Sequence, residues 1–220
     1  MFKEILAALK SGESLDMAFR QLSEMLDHAR WMFVRANDVL RRRTAAEEVR
    51  EAIYQRDQKV NELLRSIRGN IVRHLTVNPG VEVAACLALM SVAKDAERIG
   101  DYCKNVFEVG RFYTQDFHVE KYHEPLEQVR VQVEGLFEVA SRAFADNDAR
   151  MAKDAVRSAD AIGDTCDRIV EELLQDSDSI QTHEAVAYSL LARHYKRVAS
   201  HLSNVCTAVL GKVEDLDFRP

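Results

Sequence analysis

Residues 13–68 contain neither proline nor glycine, and the whole chain of 220 residues holds only 3 Pro and 8 Gly. A chain so poor in breakers has little with which to turn tight corners, and no run alternates apolar and polar residues as strands do. What does recur is apolar spacing of three and four, the period of an amphipathic helix. Leu22, Leu26, Ala29, Phe33 and Ala36 form one such stripe, Ile53, Val60, Leu63, Ile67 and Ile71 a second, and Leu89, Val92, Ala96, Ile99, Cys103 and Val106 a third. The pattern predicts an all-α chain of six long helices.

Punctuation places the ends. The first helix spans about 15–40 and is followed by Arg41-Arg42-Arg43, read as a cationic, solvated helix end or as a patch for phosphate or acidic lipid. Thr44-Ala45-Ala46-Glu47 has the form of a capping box for a helix to about Leu75. Asn78-Pro79-Gly80 breaks the chain, with Pro79 suited to open a third helix to about Arg111. The aromatic segment Phe112 to Glu124 reads as a linker ending at Pro125, where a fourth helix runs to Ala145. Asp146-Asn147-Asp148 is a turn and cap for a fifth helix to Leu174. Asp176 to Ser179 is a polar loop, and a sixth helix spans 182–210. A short amphipathic piece, Phe2 to Leu9, precedes this array, and a frayed tail follows Gly211.

The halves repeat. Displaced by 99 positions, Leu89, Val92, Ala96, Ile99, Cys103 and Val106 fall on Tyr188, Leu191, Tyr195, Val198, Leu202 and Val205, with Gly110 on Val209 as the exception to apolar matching; Arg98 falls on Arg197 and Asn105 on Asn204. Displaced by 103, Ile53, Val60, Leu63, Ile67, Ile71 and Asp57 fall on Val156, Gly163, Cys166, Val170, Leu174 and Asp160. Leu22, Leu26 and Ala29 fall on Val129, Val133 and Leu136 at 107. The expected architecture is two tandem three-helix bundles related by internal duplication, repeat 1 over residues 1–117 and repeat 2 over 118–220.

Composition excludes several classes. With 30 Lys and Arg against 36 Asp and Glu the net charge is −6, which disfavours nonspecific nucleic-acid binding. Cys86, Cys103, Cys166 and Cys206 lie inside helical patterns without CxxC spacing, as buried apolar residues of a reducing compartment do. No segment offers the ~18–20 uninterrupted apolar residues of a membrane span, and the N-terminus does not read as a signal peptide. No Gly-rich phosphate loop, G-x-S-x-G elbow or H-E-x-x-H motif occurs.

Acidic residues form the most informative polar pattern. Glu97 and Asp101 stand four apart beside seam positions of the third helix, with Asn105 a turn further on, and Gly100 removes a side chain between them. Asp57 and Asn61 have the same spacing on the second helix. Across two neighbouring helices these oxygens suit a hard or borderline cation, and the plainer reading is a solvated acidic stripe paired with Arg98 and Lys104.

The run Ala96-Glu97-Arg98-Ile99-Gly100-Asp101-Tyr102-Cys103-Lys104-Asn105-Val106 resembles the E-R-I-G-D-x-x-x-N-I signature of the PhoU family of phosphate-signalling regulators. The resemblance implies a duplicated three-helix fold and metal ions, iron or zinc, held by E/D-x-x-x-D motifs. By position, Asp57, Asn61, Glu97 and Asp101 would bind metal in the first repeat, with Asn105 and Asn204 behind the ligands. Asn61 leaves that site one acid short, so one ion, or weak occupancy, rather than a full cluster is expected. Asp160 and Asp164 match the motif of the fifth helix. The sixth departs from it, reading Lys196-Arg197-Val198-Ala199-Ser200 where an E-R-x-x-D is expected. An ammonium at the Glu position repels a metal ion, so this degenerate second site (Asp160, Asp164, Lys196, Ser200) is expected to be lost, with Lys196 lying against Asp160 or Asp164.

The resemblance further implies a non-enzymatic cytoplasmic regulator. Its partners would be phosphate transporter components or a sensor histidine kinase, and it would meet the membrane only through them. The acidic net charge sets nucleic acid aside as an expected partner, and a homodimer is compatible with the reading. Three other readings stand beside it, one of them a purely structural helical module with no ligand. Another is the accessory subunit of a low-affinity phosphate or cation carrier. The third is a metal-dependent, di-iron-like oxidase, for which the sequence offers a single Glu-x-x-His, Glu120 to His123, in the expected linker. His194 and His201, seven apart, read as a pair at the core edge, and Trp31-Met32-Phe33 as core packing or an exposed docking patch.

Overall fold

A computed structural model describes residues 13–176 and 180–210; the expected N-terminal piece, most of the polar loop and the C-terminal tail lie outside the described residues. Six helices account for the rest: α1 Glu13–Leu40, α2 Ala46–Val77, α3 Val83–Phe112, α4 Glu120–Asp146, α5 Ala149–Gln175 and α6 Thr182–Leu210. In each half the three helices pack on one another. The halves then join along α3 and α6, with a smaller contact between α1 and α4.

The repeat seen in sequence is the repeat of the fold. The six apolar pairs matched from Leu89–Tyr188 to Val106–Val205 between α3 and α6, and the three matched between α1 and α4, are buried on both sides, whereas Arg98 and Arg197 are both exposed. Two apolar pairs between α2 and α5 fit less well: Ile67 is buried but Val170 only partly so, and Ile71 is buried but Leu174 is 82% exposed, with Leu173 turned inward in its place. The two bundles share one apolar core. Phe33 of α1 packs on Phe137 of α4 and on Tyr195 of α6, with ring centroids 5.6 and 5.5 Å apart. Met32 and Phe33 are fully buried, whereas Trp31 lies at the edge of the core with the Arg56 guanidinium 4.1 Å above its ring. The four cysteines are free and buried; burial alone holds the Cys103 thiol well above its usual range and pushes that of Cys206 up to about 12.

Three local expectations differ from the structure. First, α2 has Ala45 at its N-cap with no side-chain cap, so Thr44 and Glu47 do not form a capping box. Second, α3 begins at Val83 rather than Pro79. Pro79 and Gly80 instead occupy the centre of a turn closed by Val81 N donating to Asn78 O, with Gly80 at φ +81°, a place where Pro then Gly is the preferred order. Third, α4 starts five residues before Pro125 and absorbs the missing N–H within its second turn. The early start is held from outside. Glu184 Oε1 of α6 accepts from the backbone N–H groups of His118 (2.6 Å) and Val119 (3.3 Å), and the buried Tyr122 hydroxyl donates to Asp176 Oδ2 at 2.6 Å. Glu120 and His123 are therefore helical; Glu120 faces solvent and His123 stacks on Phe117.

The arginine run is not simply solvated. Arg42, with φ +57°, donates to the carbonyls of Tyr113 and Gln115, each at 2.6 Å, and to that of Gly110 at 3.3 Å, closing the exposed C-terminus of α3. Arg41 meets Glu127 of α4 at 3.6 Å.

Candidate functional site

The acidic stripe of the first repeat lies where α2 and α3 face each other. Gly100 permits the approach: a Cβ there would meet Val60 Cγ1 of α2 at 3.5 Å, ordinary contact. Asp57 and Glu97 are largely buried and Asp101 half-buried, and each carboxylate has a cationic partner. Lys104 Nζ donates to Asp57 Oδ2 at 2.8 Å and lies 3.6 Å from Asp101 Oδ1. Arg98 Nη1 donates to the other oxygen of Asp101 at 3.3 Å. Lys94 Nζ donates to Glu97 Oε2 at 2.6 Å, with Arg98 Nε 3.8 Å from that oxygen. The Asn61 side chain donates to the Asp57 backbone carbonyl. Burial opposes the Lys104 charge, but the hydrogen bond to Asp57 and the charges of Asp57, Asp101 and Glu108 outweigh it, and the net shift is upward.

The structure thus brings Asp57 and Asp101 around one point, but that point is held by an ammonium group. Among the described residues no three His, Cys, Asp or Glu side chains converge as a metal ion requires.

In the second repeat Lys196 does reach an acid of α5, but not Asp160 or Asp164. Its Nζ lies 2.6 Å from both oxygens of Asp167, one turn further along. Asp164 is exposed, Asp160 and Ser200 half-buried. The register differs because Lys196, standing where the first repeat has Glu97, is long enough to lean past Gly163, passing 3.9 Å from where a Cβ there would be.

Asn204 belongs to a different feature, the seam between α3 and α6. Asp95 of α3 is 6% exposed, and its Oδ1 lies 2.6 Å from His201 Nδ1 and 2.9 Å from Asn204 Nδ2. The Tyr102 ring lies between His201 and His194, at centroid distances of 5.7 and 5.9 Å. Burial, then the charge of Arg193, pushes the His194 imidazole down to about 4. The 99-residue displacement that relates α3 to α6 pairs Asp95 with His194 and Tyr102 with His201. The seam is therefore built from two related but chemically different halves. Asp95 was legible as an acid adjoining a seam position, and its repeat partner being a histidine was the available signal.

One end of this seam opens into an apolar groove lined by Asn105, Val109, Phe112, Val186, Leu190 and His194. Phe112 and Val186 are exposed there. No helix among the described residues is long and apolar enough to cross a membrane.

Known proteins share this arrangement. The PhoU domain family pattern matches residues 22–109 and again 126–209, one copy on each bundle. The phosphate-specific transport system accessory protein PhoU homolog 1 of Thermotoga maritima is 26% identical over 214 residues, 95% of this chain and 87% of that protein. The PhoU homolog of Synechocystis is 22% identical over 160 residues, 71% of each. Among crystal structures, PhoU from Streptococcus pneumoniae superposes with a TM-score of 0.70 at 18% identity, covering 88% of this chain and 94% of that one. PhoU from Pseudomonas aeruginosa does so with 0.67 at 21% identity, covering 95% and 97%. At such identities the superpositions speak for the fold; the family pattern, present in both bundles and spanning most of the chain, makes this protein a member of the PhoU family.

Proposed function

We propose that the chain is a non-enzymatic regulator of phosphate transport and of phosphate-responsive signalling, acting as an adaptor that docks on a component of a phosphate transporter or on its partner sensor kinase. The observation that carries this reading is the PhoU pattern in both repeats, together with relatives named as accessory proteins of phosphate-specific transport. An adaptor needs a stiff body and a presented surface. The shared core supplies the first. The α3–α6 face, with Phe112, Val186 and Leu190 exposed, is suited to the second. On this reading the protein works in the cytoplasm and reaches the membrane through its partner.

The acidic stripe is where the family resemblance and the side chains diverge. An iron or zinc ion bound by Asp57, Asn61, Glu97 and Asp101 would have to compete with Lys104 for the same carboxylates.

The test is removal of the gene in its own host, with uptake of labelled phosphate and transcription of phosphate-responsive genes measured in scarce and abundant phosphate. The reading expects both to change and a plasmid copy to restore them. Unchanged uptake and transcription in both conditions would overturn it. Co-purification of the tagged chain with a transporter subunit or a sensor kinase would identify the docking partner.

A further inference from the structure

We infer that lysine side chains serve as the resident cations of both repeats, so that the fold is completed without a metal ion. The inference is independent of which partner the protein docks on. In the first repeat the geometry is direct. Lys104 rises from α3 one turn beyond Asp101, and its Nζ touches Asp57 Oδ2 on α2 (2.8 Å) and approaches Asp101 Oδ1 on its own helix (3.6 Å). One positive centre thus bridges the two helices that a metal ion would have to bridge. The Lys104 and Asp57 side chains are 21% and 14% exposed, so the pair is largely withdrawn from water and from screening salt.

The remaining donors are also spoken for. Glu97 is taken by Lys94 and Arg98, and the second oxygen of Asp101 by Arg98. Three carboxylates therefore face three cations. A divalent ion entering this set would add two charges to a balanced cluster and lie against three like charges. Asn61, the residue that leaves the ligand set one acid short, has its amide turned to the Asp57 backbone carbonyl.

The second repeat also joins its second and third helices through a lysine, in another register and at the surface, with the Lys196 and Asp167 side chains 41% and 54% exposed. Lys196 of α6 bridges to Asp167 of α5, with Nζ 2.6 Å from both oxygens. Lys104 has Ser203 as its repeat partner, and Lys196 has Glu97, so the two lysines are not copies of one ancestral position. In each repeat the second and third helices are nevertheless joined by a lysine–aspartate bridge. The common requirement is a positive charge between those helices. In this chain it is attached covalently, present at every metal concentration.

The test uses the full-length chain, expressed in medium supplemented with iron and zinc. Metal content is measured by mass spectrometry, and melting is followed with EDTA and with added Zn²⁺ or Mn²⁺. The expected result is metal far below one ion per chain and a Tm that neither EDTA nor added ion moves. Lys104→Met, which keeps the aliphatic stem but exposes Asp57 and Asp101 to each other, should melt lower by several degrees and regain part of the loss with Zn²⁺ or Mn²⁺. Lys104→Arg should melt close to wild type without metal. Wild-type protein that carries about one ion per chain and melts lower once EDTA strips it would overturn the inference. So would Lys104→Met melting like wild type. If Lys104→Met does not fold, the wild-type and Lys104→Arg measurements decide the matter by themselves.

Discussion

Asp95 of α3 and His201 of α6 meet across the seam between the repeats, with Oδ1 and Nδ1 2.6 Å apart. Asn204 donates to the same oxygen at 2.9 Å. Asp95 is almost fully buried, and these two groups from the other bundle are what satisfy it. Removing the carboxylate strands both donors, whereas removing one donor leaves the other. Asp95→Ala is therefore expected to cost about 2–3 kcal/mol, and Asn204→Ala less. Urea unfolding with a double-mutant cycle between Asp95 and His201 checks this; a coupling energy near zero would separate the contact from the stability of the seam.

His194 makes stability depend on acid. Its imidazole titrates near 4 in the folded protein against 6.5 when free. Above about 6.5 both states are neutral and the group is indifferent to folding. As pH falls from there towards 4 the unfolded chain binds a proton that the folded chain refuses, so stability declines across that window. His194→Leu should flatten the decline. The readout is the urea midpoint measured at neutral pH and near pH 5, where the variant should lose less than wild type.

Arg42 closes the C-terminus of α3 from a left-handed backbone position. Arg42→Ala loses the bonds to Tyr113 and Gln115 while keeping the backbone strain; Arg42→Gly loses the same bonds but relieves the strain, worth about 1 kcal/mol. The expected order of stability is wild type, then Arg42→Gly, then Arg42→Ala. Hydrogen exchange over the last turn of α3 and residues 113–119 should quicken in both variants.

Two helical glycines should respond in opposite directions. A Cβ at Gly110 would stand 3.0 Å from Leu40 Cγ and 3.2 Å from the Leu40 backbone nitrogen, where α1 ends against α3. Gly110→Ala is expected to destabilise by about 1–3 kcal/mol, because backbone cannot yield as a side-chain tip does. Gly69 of α2 has nothing within 4 Å, and Gly69→Ala should stabilise by about 0.5–1 kcal/mol through helix propensity alone. Thermal melts of the two variants check the sign.

Six helices, their duplication and the inward face of nearly every one were decided by the sequence alone. Apolar spacing states which side of a helix turns away from water, and two copies of one spacing state that the unit occurs twice. The E-R-I-G-D run carried the family for the same reason, being local and contiguous. What lies between helices was decided only in three dimensions. Periodicity orients a residue around its own axis but leaves the axial offset of the neighbouring helix open, and a shift of one residue, about 1.5 Å, changes which groups touch. Hence Lys104 was legible as a cation beside the acidic stripe, while its place between Asp57 of one helix and Asp101 of the other was not. Lys196 was legible as a replacement charge, yet it found Asp167 rather than Asp160 or Asp164. The same holds for the helix ends. Pro125 signals a helix start in isolation, but Glu184 and Asp176, some 50 to 65 residues away in the chain, hold α4 open five residues earlier, because the bonds they make to His118, Val119 and Tyr122 outweigh one missing N–H.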